Sequence, residues 1–259
     1  MLIVLAVFCL GPLFWVVTIS LTPERAILNL PVKWIPRTMT LENYRLVLSD
    51  PKIHRYIVNS IVVSLTSSAL ATLLGSLAAY GIARQRFRGK AFLMSLVLFI
   101  HLVPGLVSMT ALYRMMASLS LLNTLIGLVL VKGAGLSLAI WILKNYFESL
   151  PAELEEMARA DGCSTLGAFF RVVVPLRFKG ILVAGLFLFA QSWKSFFLPL
   201  LFISDVGKMT LPLGIFQYVG EHGFEIGRIC ALSVVSLVPV VLLLFTVNRL
   251  GWQSLRPGG

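Results

Sequence analysis

The sequence is poor in charge and in cysteine, and each shortage excludes a class of protein. Only 13% of its 259 residues are charged, about half the share in an average soluble domain. Because 58% are hydrophobic and the mean hydropathy is +0.91, a soluble enzyme and a disordered regulator are excluded. The three cysteines, Cys9, Cys163 and Cys230, lack paired spacing, so neither a disulfide framework nor a zinc site is indicated. This composition predicts a polytopic membrane protein.

Six apolar runs are long enough to cross a bilayer as helices, since about 20 residues span the hydrocarbon. They are residues 2–19, 57–83, 91–113, 124–143, 181–203 and 229–248. Helices are expected because lipid cannot satisfy exposed backbone groups. The first run lacks the basic segment and the cleavage site of a signal peptide, so we interpret it as a membrane span. Pro104 and Gly105 predict a kink in the third run. The sequence therefore predicts one all-α membrane domain over residues 1–259.

The orientation follows from a cluster of positive charge. The segment from Arg84 to Lys90 holds four cations in seven residues between two predicted spans, so the positive-inside rule places it in the cytoplasm. With six spans, both termini then lie in the cytoplasm. The net charge of +11 fits contact with anionic lipid head groups of the bilayer better than nucleic acid, because the background is so apolar. We expect a multi-pass protein of a cytoplasmic membrane.

Catalytic motifs are missing. The sequence contains no phosphate-binding GxxxxGK[ST] loop, no HExxH zinc motif and no GxSxG nucleophile motif. The three histidines, His54, His101 and His222, are scattered. We therefore expect no enzymatic activity, no cofactor and no metal in this chain.

A polar stretch between the fourth and fifth runs, residues 149–162, has the pattern of an amphipathic helix. Pro151 suits the first helical turn, three glutamates lie near the N-terminus, where the helix dipole favours anions, and Gly162 suits a left-handed end. We predict a helix of about three turns over residues 151–161. Helical spacing brings five residues onto or near one face: Leu150, Leu154, Met157, Ala158 and Asp161.

The acidic character of this helix indicates its partner. Helices that lie on a membrane surface usually have a basic polar face, and an acidic face would be repelled by anionic lipid. Docking of the apolar stripe into a groove of another protein is therefore favoured.

The residues from Glu156 to Gly162, followed by Arg171 to Leu176, resemble the EAA loop of ABC-importer permeases, most closely the MalG-like carbohydrate-uptake subunits. Further motifs of this family occur in order along nearly the whole chain: Thr40–Tyr44, Asn59–Ser60, Ala78–Tyr80, Arg84–Gly89, Pro104, Asn123–Thr124 and Ser149–Pro151. Met157 stands where the family usually has Ala, Lys179 where it often has Pro, and the tail from Arg249 lacks the usual ending.

The resemblance implies a permease subunit with the six-span fold of type I ABC importers, forming half of the path for a carbohydrate or related solute. It implies that residues 151–161 are the coupling helix, which contacts an ATPase through Leu154, Glu156, Met157, Ala158, Asp161 and Gly162. The implied partners are a second homologous permease, two ATP-binding cassette subunits that hold ATP and Mg, and an extracytoplasmic solute-binding protein. The implied location is a bacterial or archaeal inner membrane.

Two lysines, Lys132 and Lys194, lie within predicted spans. A lysine at a helix centre costs roughly 2.5–3.5 kcal/mol on insertion scales, so each should face a cavity, a partner subunit or an acid. Where the family commonly has Trp-Asn-Glu-Phe, this chain has Trp193-Lys-Ser-Phe196, which adds positive charge. One interpretation is a path for an anionic solute, with Trp193 and Phe196 stacking on a sugar. The other is an ion pair with the partner permease, or a side chain that reaches the interface.

An ion-coupled secondary transporter subunit is the alternative function. It would require an acidic residue within the membrane for ion coupling, whereas all eleven acids fall in predicted loops. The acidic helix also favours an ATPase partner. We therefore favour the ABC permease.

Overall fold

The computed structural model describes residues 2–27, 36, 38–85, 87–102, 105–222 and 225–254, and no β-strand occurs within these ranges. In chain order the α-helices are α1 (Leu2–Ser20), α2 (Glu24–Ile27), α3 (Glu42–Ser49), α4 (Pro51–Arg84), α5 (Lys90–Leu102), α6 (Gly105–Ser118), α7 (Leu125–Gly133), α8 (Ser137–Glu148), α9 (Glu153–Ala160), α10 (Thr165–Ala168), α11 (Val174–Trp193), α12 (Phe197–Phe202), α13 (Leu211–His222) and α14 (Ile226–Ser254). The predicted all-α class is confirmed.

Among the described residues, three helices are long and apolar enough to cross a membrane: Pro51–Arg84, Thr165–Trp193 and Ile226–Arg249. The bent pair α7 and α8 adds a fourth if it is counted as one span. Apolar helix also covers Val7–Ser20 and Lys90–Ile100, which are shorter. The count of six spans remains a prediction.

Two predicted spans are broken. The third run contains α5, which ends at Leu102, and α6, which begins at Gly105; Pro104 lies outside the described residues. The fourth run contains α7 and α8, whose axes differ by 43° across residues 134–136. Two glycines, Gly133 and Gly135, occur at this second break, and glycine lowers the stability of a helix interior.

The helix that leads into the fifth predicted span begins well before residue 181, because helix runs without interruption from Thr165 to Trp193. Pro175 would disrupt a regular α-helix, since it lacks an N–H group and its ring clashes with the carbonyl four residues earlier. Phe169–Val173 form a π-helical turn immediately before α11. The wider turn changes the hydrogen-bond register and accommodates the proline.

The chain forms two compact units, and the first comprises residues 1–60 and 203–245. Asn43 is buried, and its Nδ2 donates to the carbonyl oxygens of Ser20 at 3.0 Å and Thr22 at 2.9 Å. Tyr44 shares a 2.6 Å hydrogen bond with the Ser20 hydroxyl. The family motif at residues 40–44 thus ties α3 to the end of α1.

A second motif holds the first unit together from the start of α4. Asn59 Nδ2 donates to the carbonyl oxygens of Gly207 at 3.0 Å and Met209 at 2.9 Å. The Ser60 hydroxyl accepts a 2.6 Å hydrogen bond from the backbone N–H of Leu211. These bonds fix the loop that precedes α13.

The second unit comprises residues 61–202 and 246–259, and its helices α4, α8 and α11 approach closely. A Cβ atom at Gly75 would overlap the side chain of Ala139, and one at Gly180 would overlap the ring of Tyr146. Small residues allow such close contact between membrane helices. An apolar cluster of this unit contains Ala79, Tyr80, Leu143, Phe147, Leu150, Phe169, Val173 and Ala184.

Candidate functional site: the acidic helix and a polar cavity

The predicted coupling helix is α9, and it is shorter than predicted. It has eight residues, Glu153–Ala160, about two turns instead of three. Pro151 lies outside the helix, two residues before its first residue. The preceding residue, Leu150, is buried, and its carbonyl accepts a 3.0 Å hydrogen bond from Arg84 Nη2. The helix ends at Ala160, and Gly162, two residues later, has a φ of +89°, which is the left-handed conformation predicted for it.

One face of α9 is open to solvent in the isolated chain. Leu154 is 40% exposed and Met157 is 66% exposed. Glu156, Asp161 and Gly162 are exposed as well, while Ala158 is half-buried. Leu150 does not join this face, because it packs in the apolar cluster of the second unit. Two apolar side chains flanked by acids thus form a surface suited to another protein.

Glu155 faces the opposite way, and sequence reasoning missed its role. Its side chain is buried, and it accepts hydrogen bonds from Tyr80 Oη and Arg84 Nε, both at 2.8 Å. A second guanidinium nitrogen, Nη2, contacts the same carboxylate. A buried carboxylate is tolerated only when it is paired and hydrogen-bonded. The cluster of Tyr80, Arg84 and Glu155, which we call the α9 anchor, joins α9 to the end of α4.

Only part of this anchor could be predicted from the sequence. Tyr80 and Arg84 are four residues apart and so share one face of α4. Their partner follows 71 to 75 residues later, and no local pattern connects it to them. Glu155 was interpreted only as one of three acids that favour the helix dipole.

A second ionic cluster lies near the end of α8. Glu148 contacts Lys90 Nζ at 3.2 Å and Lys144 Nζ at 2.7 Å. Lys90 is the last cation of the positively charged segment that begins at Arg84. These contacts tie that segment to α8, on the same unit as the α9 anchor.

A cavity of about 330 Å³ lies within the second unit, next to the break between α7 and α8. Its apolar walls include Leu138 and Leu188. Its polar lining consists of Lys132, Gln191, Ser67, Ser68, Ser137, Ser192 and Ser195. The cavity thus combines one cation with several hydroxyl groups and one amide.

Of the four predicted path residues, the structure brings only Lys132 to this cavity. Lys132 is half-buried, and its Nζ donates to the carbonyl oxygen of Ser192 at 3.1 Å. Lys194 is exposed and caps the C-terminal end of α11 instead of lying inside a helix. A cation is favourable at that end of a helix dipole.

The two aromatic candidates pack against neighbouring rings. Trp193 is buried and stacks on Phe189, with ring centroids 5.9 Å apart. Phe196 makes an edge contact with Phe197 at 5.4 Å. Neither lines the cavity. In the part of the chain that the structure describes, no group of three or more His, Cys, Asp or Glu residues is placed to hold a metal ion.

Known proteins resemble this chain in both sequence and fold. Residues 71–251 match the family described as binding-protein-dependent transport system inner membrane component. The chain is 37% identical to the sulfoquinovosyl glycerol transport system permease protein SmoH of Agrobacterium fabrum, over 99% of this chain and 90% of that protein. It is 33% identical to the trehalose/maltose transport system permease protein MalG of Thermococcus litoralis, over 99% and 93%.

A solved structure of a bacterial ABC transporter involved in the import of the acidic polysaccharide alginate has the same fold. Its TM-score is 0.82 at 21% identity, over 96% of this chain and 92% of that one. The family match decides against an ion-coupled secondary transporter. The chain therefore belongs to the inner membrane components of binding-protein-dependent transport systems, the permease subunits of ABC importers.

Proposed function

We propose that this permease forms half of the path by which a carbohydrate enters the cell, and that α9 is its coupling helix to an ATPase. The observation that carries the proposal is the two-sided character of α9. Leu154 and Met157 face outward among acids, while Glu155 is bound inward to Tyr80 and Arg84. Because its outer face is free to contact a partner and its inner face is bonded to α4, a displacement of α9 by the partner can be transmitted to α4.

The proposed complex has the composition that the family resemblance implies. A second homologous permease completes the path, two ATP-binding cassette subunits bind and hydrolyse ATP with Mg, and an extracytoplasmic binding protein delivers the solute. Leu154, Glu156, Met157, Ala158, Asp161 and Gly162 form the contact with the ATPase. Closure of the ATPases on ATP would move α9 and, through the α9 anchor, the α4 helix.

Six spans with both termini in the cytoplasm of a bacterium or archaeon complete the proposal. In that orientation α9, the α9 anchor and the Arg84–Lys90 segment lie on the cytoplasmic side, where an ATPase is available. The apolar helices over Val7–Ser20 and Lys90–Ile100 then take part in the first and third spans.

Carbohydrate is the proposed solute class for two reasons. The relatives SmoH and MalG carry names of sulfoquinovosyl glycerol and trehalose/maltose transport. The cavity beside Lys132 is lined by serine hydroxyls and by the Gln191 amide, groups that both donate and accept hydrogen bonds, as recognition of sugar hydroxyls requires.

Assembly tests the coupling role. We expect Met157→Asp to reduce co-purification of the ATPase about ten-fold, since it places a charge in the apolar docking surface. Leu119→Asp is the matched control, because Leu119 is 58% exposed in a predicted outer loop. Full ATPase association of the Met157 variant, or equal loss in the Leu119 variant, would overturn the proposal.

A further inference from the structure

The cavity beside Lys132 carries a positive charge, and no acid occurs in the two stretches of sequence that line it. The sequence has no Asp or Glu between residues 51 and 147, nor between residues 162 and 204. These two stretches contain every residue that lines the cavity. A cation without a carboxylate partner in a membrane helix is costly, so the arrangement calls for a negative charge from elsewhere.

We propose that this cavity binds an anionic sugar, a hydroxyl-bearing ring with one carboxylate, sulfonate or phosphate group. The inference rests on the proposed carbohydrate path and adds the charge of the solute. Lys132 is the residue that selects for the anion, while the serines and Gln191 bind the hydroxyl groups.

Two sources of positive potential line this cavity. The Lys132 ammonium has three donors, and its hydrogen bond among the described residues goes to Ser192. Helix α8 begins at Ser137, which lines the cavity, and Leu136 before it provides no side-chain cap. The N-terminal N–H groups of a helix favour an anion. An acidic group between Lys132 and the start of α8 would satisfy both.

The hydroxyl groups beside Lys132 suit a sugar ring. Ser67 and Ser192 share a 2.9 Å hydrogen bond between their hydroxyls, and Ser195 and Gln191 add further polar groups. Leu188 supplies an apolar surface for the C–H face of a ring. The volume of about 330 Å³ lies at the lower end of the range for small-molecule sites, which favours one or two rings over a long chain.

A structural role for Lys132 is the competing explanation. Ser192 is the penultimate residue of α11, and a lysine that donates to a carbonyl at a helix C-terminus stabilises that end. Lys132→Gln separates the two roles. Glutamine can donate to the same carbonyl, but it has no charge to attract an anion.

The test is equilibrium binding of radiolabelled glucuronate and glucose to the complete permease–ATPase complex in lipid nanodiscs, without the binding protein. We expect the wild type to prefer glucuronate by about ten-fold or more, the factor given by one charge-assisted hydrogen bond. Lys132→Gln should lose this preference while glucose binding changes less than about two-fold, and Lys132→Arg should keep it. Lys194→Gln should keep the preference, since Lys194 lies outside the cavity.

Equal binding of the two sugars by the wild type, no binding of either, or an unchanged preference in Lys132→Gln would overturn the inference. Loss of ATPase association by Lys132→Gln would mark it as misassembled, and Lys132→Met, which also removes the charge, then carries the test. The proposed function is tested separately, by ATPase association and by ATP-driven uptake of solute in the wild-type transporter. A complex that couples to ATP but shows no anion preference refutes only the inference.

Discussion

Replacing Glu155 by glutamine removes the negative charge that faces Arg84 and keeps the size of the side chain. The carboxylate is only 3% exposed and accepts bonds from Tyr80 Oη and from two nitrogens of Arg84. Glutamine can still accept from Arg84, and its NH₂ group can donate to the Tyr80 hydroxyl, which also accepts, but the charge that balances the Arg84 guanidinium is lost. The α9 anchor is therefore weakened without a cavity being opened.

The size of the effect follows from burial and from the number of bonds. Hydrogen bonds to charged groups contribute about 1.5–3 kcal/mol each, and removal of one partner of a buried ion pair costs roughly 3–5 kcal/mol. The Arg84 side chain is 19% exposed, so water can solvate it partly and the loss lies toward the lower value. We expect Glu155→Gln to destabilise the second unit by about 2 kcal/mol.

Two measurements on the assembled transporter test this prediction. Thermal unfolding in lipid should show a lower midpoint for Glu155→Gln and little change for Glu153→Gln, whose side chain is exposed and is not among the proposed ATPase contacts. Solute transported per ATP hydrolysed should fall, since α9 would move without carrying α4. The double exchange Arg84→Glu with Glu155→Arg should recover part of the coupling lost in each single variant. Unchanged stability and coupling in Glu155→Gln, or a double exchange no better than the single variants, would refute the role of the α9 anchor.

Three further substitutions test the local arguments. Gly162→Ala should destabilise α9 by about 1–2 kcal/mol. The cost is conformational, because φ is +89° and an added Cβ atom would contact no neighbouring atom. Equal thermal stability of the wild type and the variant would contradict it. Gly75→Val should impair assembly, since its Cβ overlaps Ala139; Gly81→Ala, with open space around the added atom, is the control, and equal yields of folded protein would disprove the close contact. Asn59→Ala removes two hydrogen bonds to backbone carbonyls and should cost about 1–3 kcal/mol, measured as a lower unfolding midpoint, with no shift counting against the bond geometry.

The sequence predicted the features that depend on local composition. Apolar runs identified a membrane protein of helices, and the position of Gly162 identified the end of α9. Helical spacing also placed Leu154 and Met157 on one face, and both are exposed. Ala158 was grouped with them, but it is half-buried, three residues after the inward-facing Glu155. The local pattern does not distinguish a residue that faces a partner protein from one that faces its own helix bundle.

Features that depend on distant residues or on helix breaks could not be predicted from local hydropathy and residue spacing. Hydropathy is similar on both sides of Lys194, so the sequence predicted one span where α11 ends and α12 begins. The apolar run around Lys132 likewise gave no indication of the bend between α7 and α8, which positions the cavity. Glu155 looked like an ordinary surface acid because its partners lie in α4, more than seventy residues earlier.

The central claim is that the exposed face of α9 docks into an ATPase, and a photo-crosslinking residue at position 157 tests it most directly. In membranes containing the whole transporter, we predict an adduct with the ATP-binding cassette subunit from position 157 and none from position 119. The adduct should weaken when Leu154 is also replaced by Asp. Absence of an ATPase adduct from position 157 in a transporter that still imports solute would contradict the account.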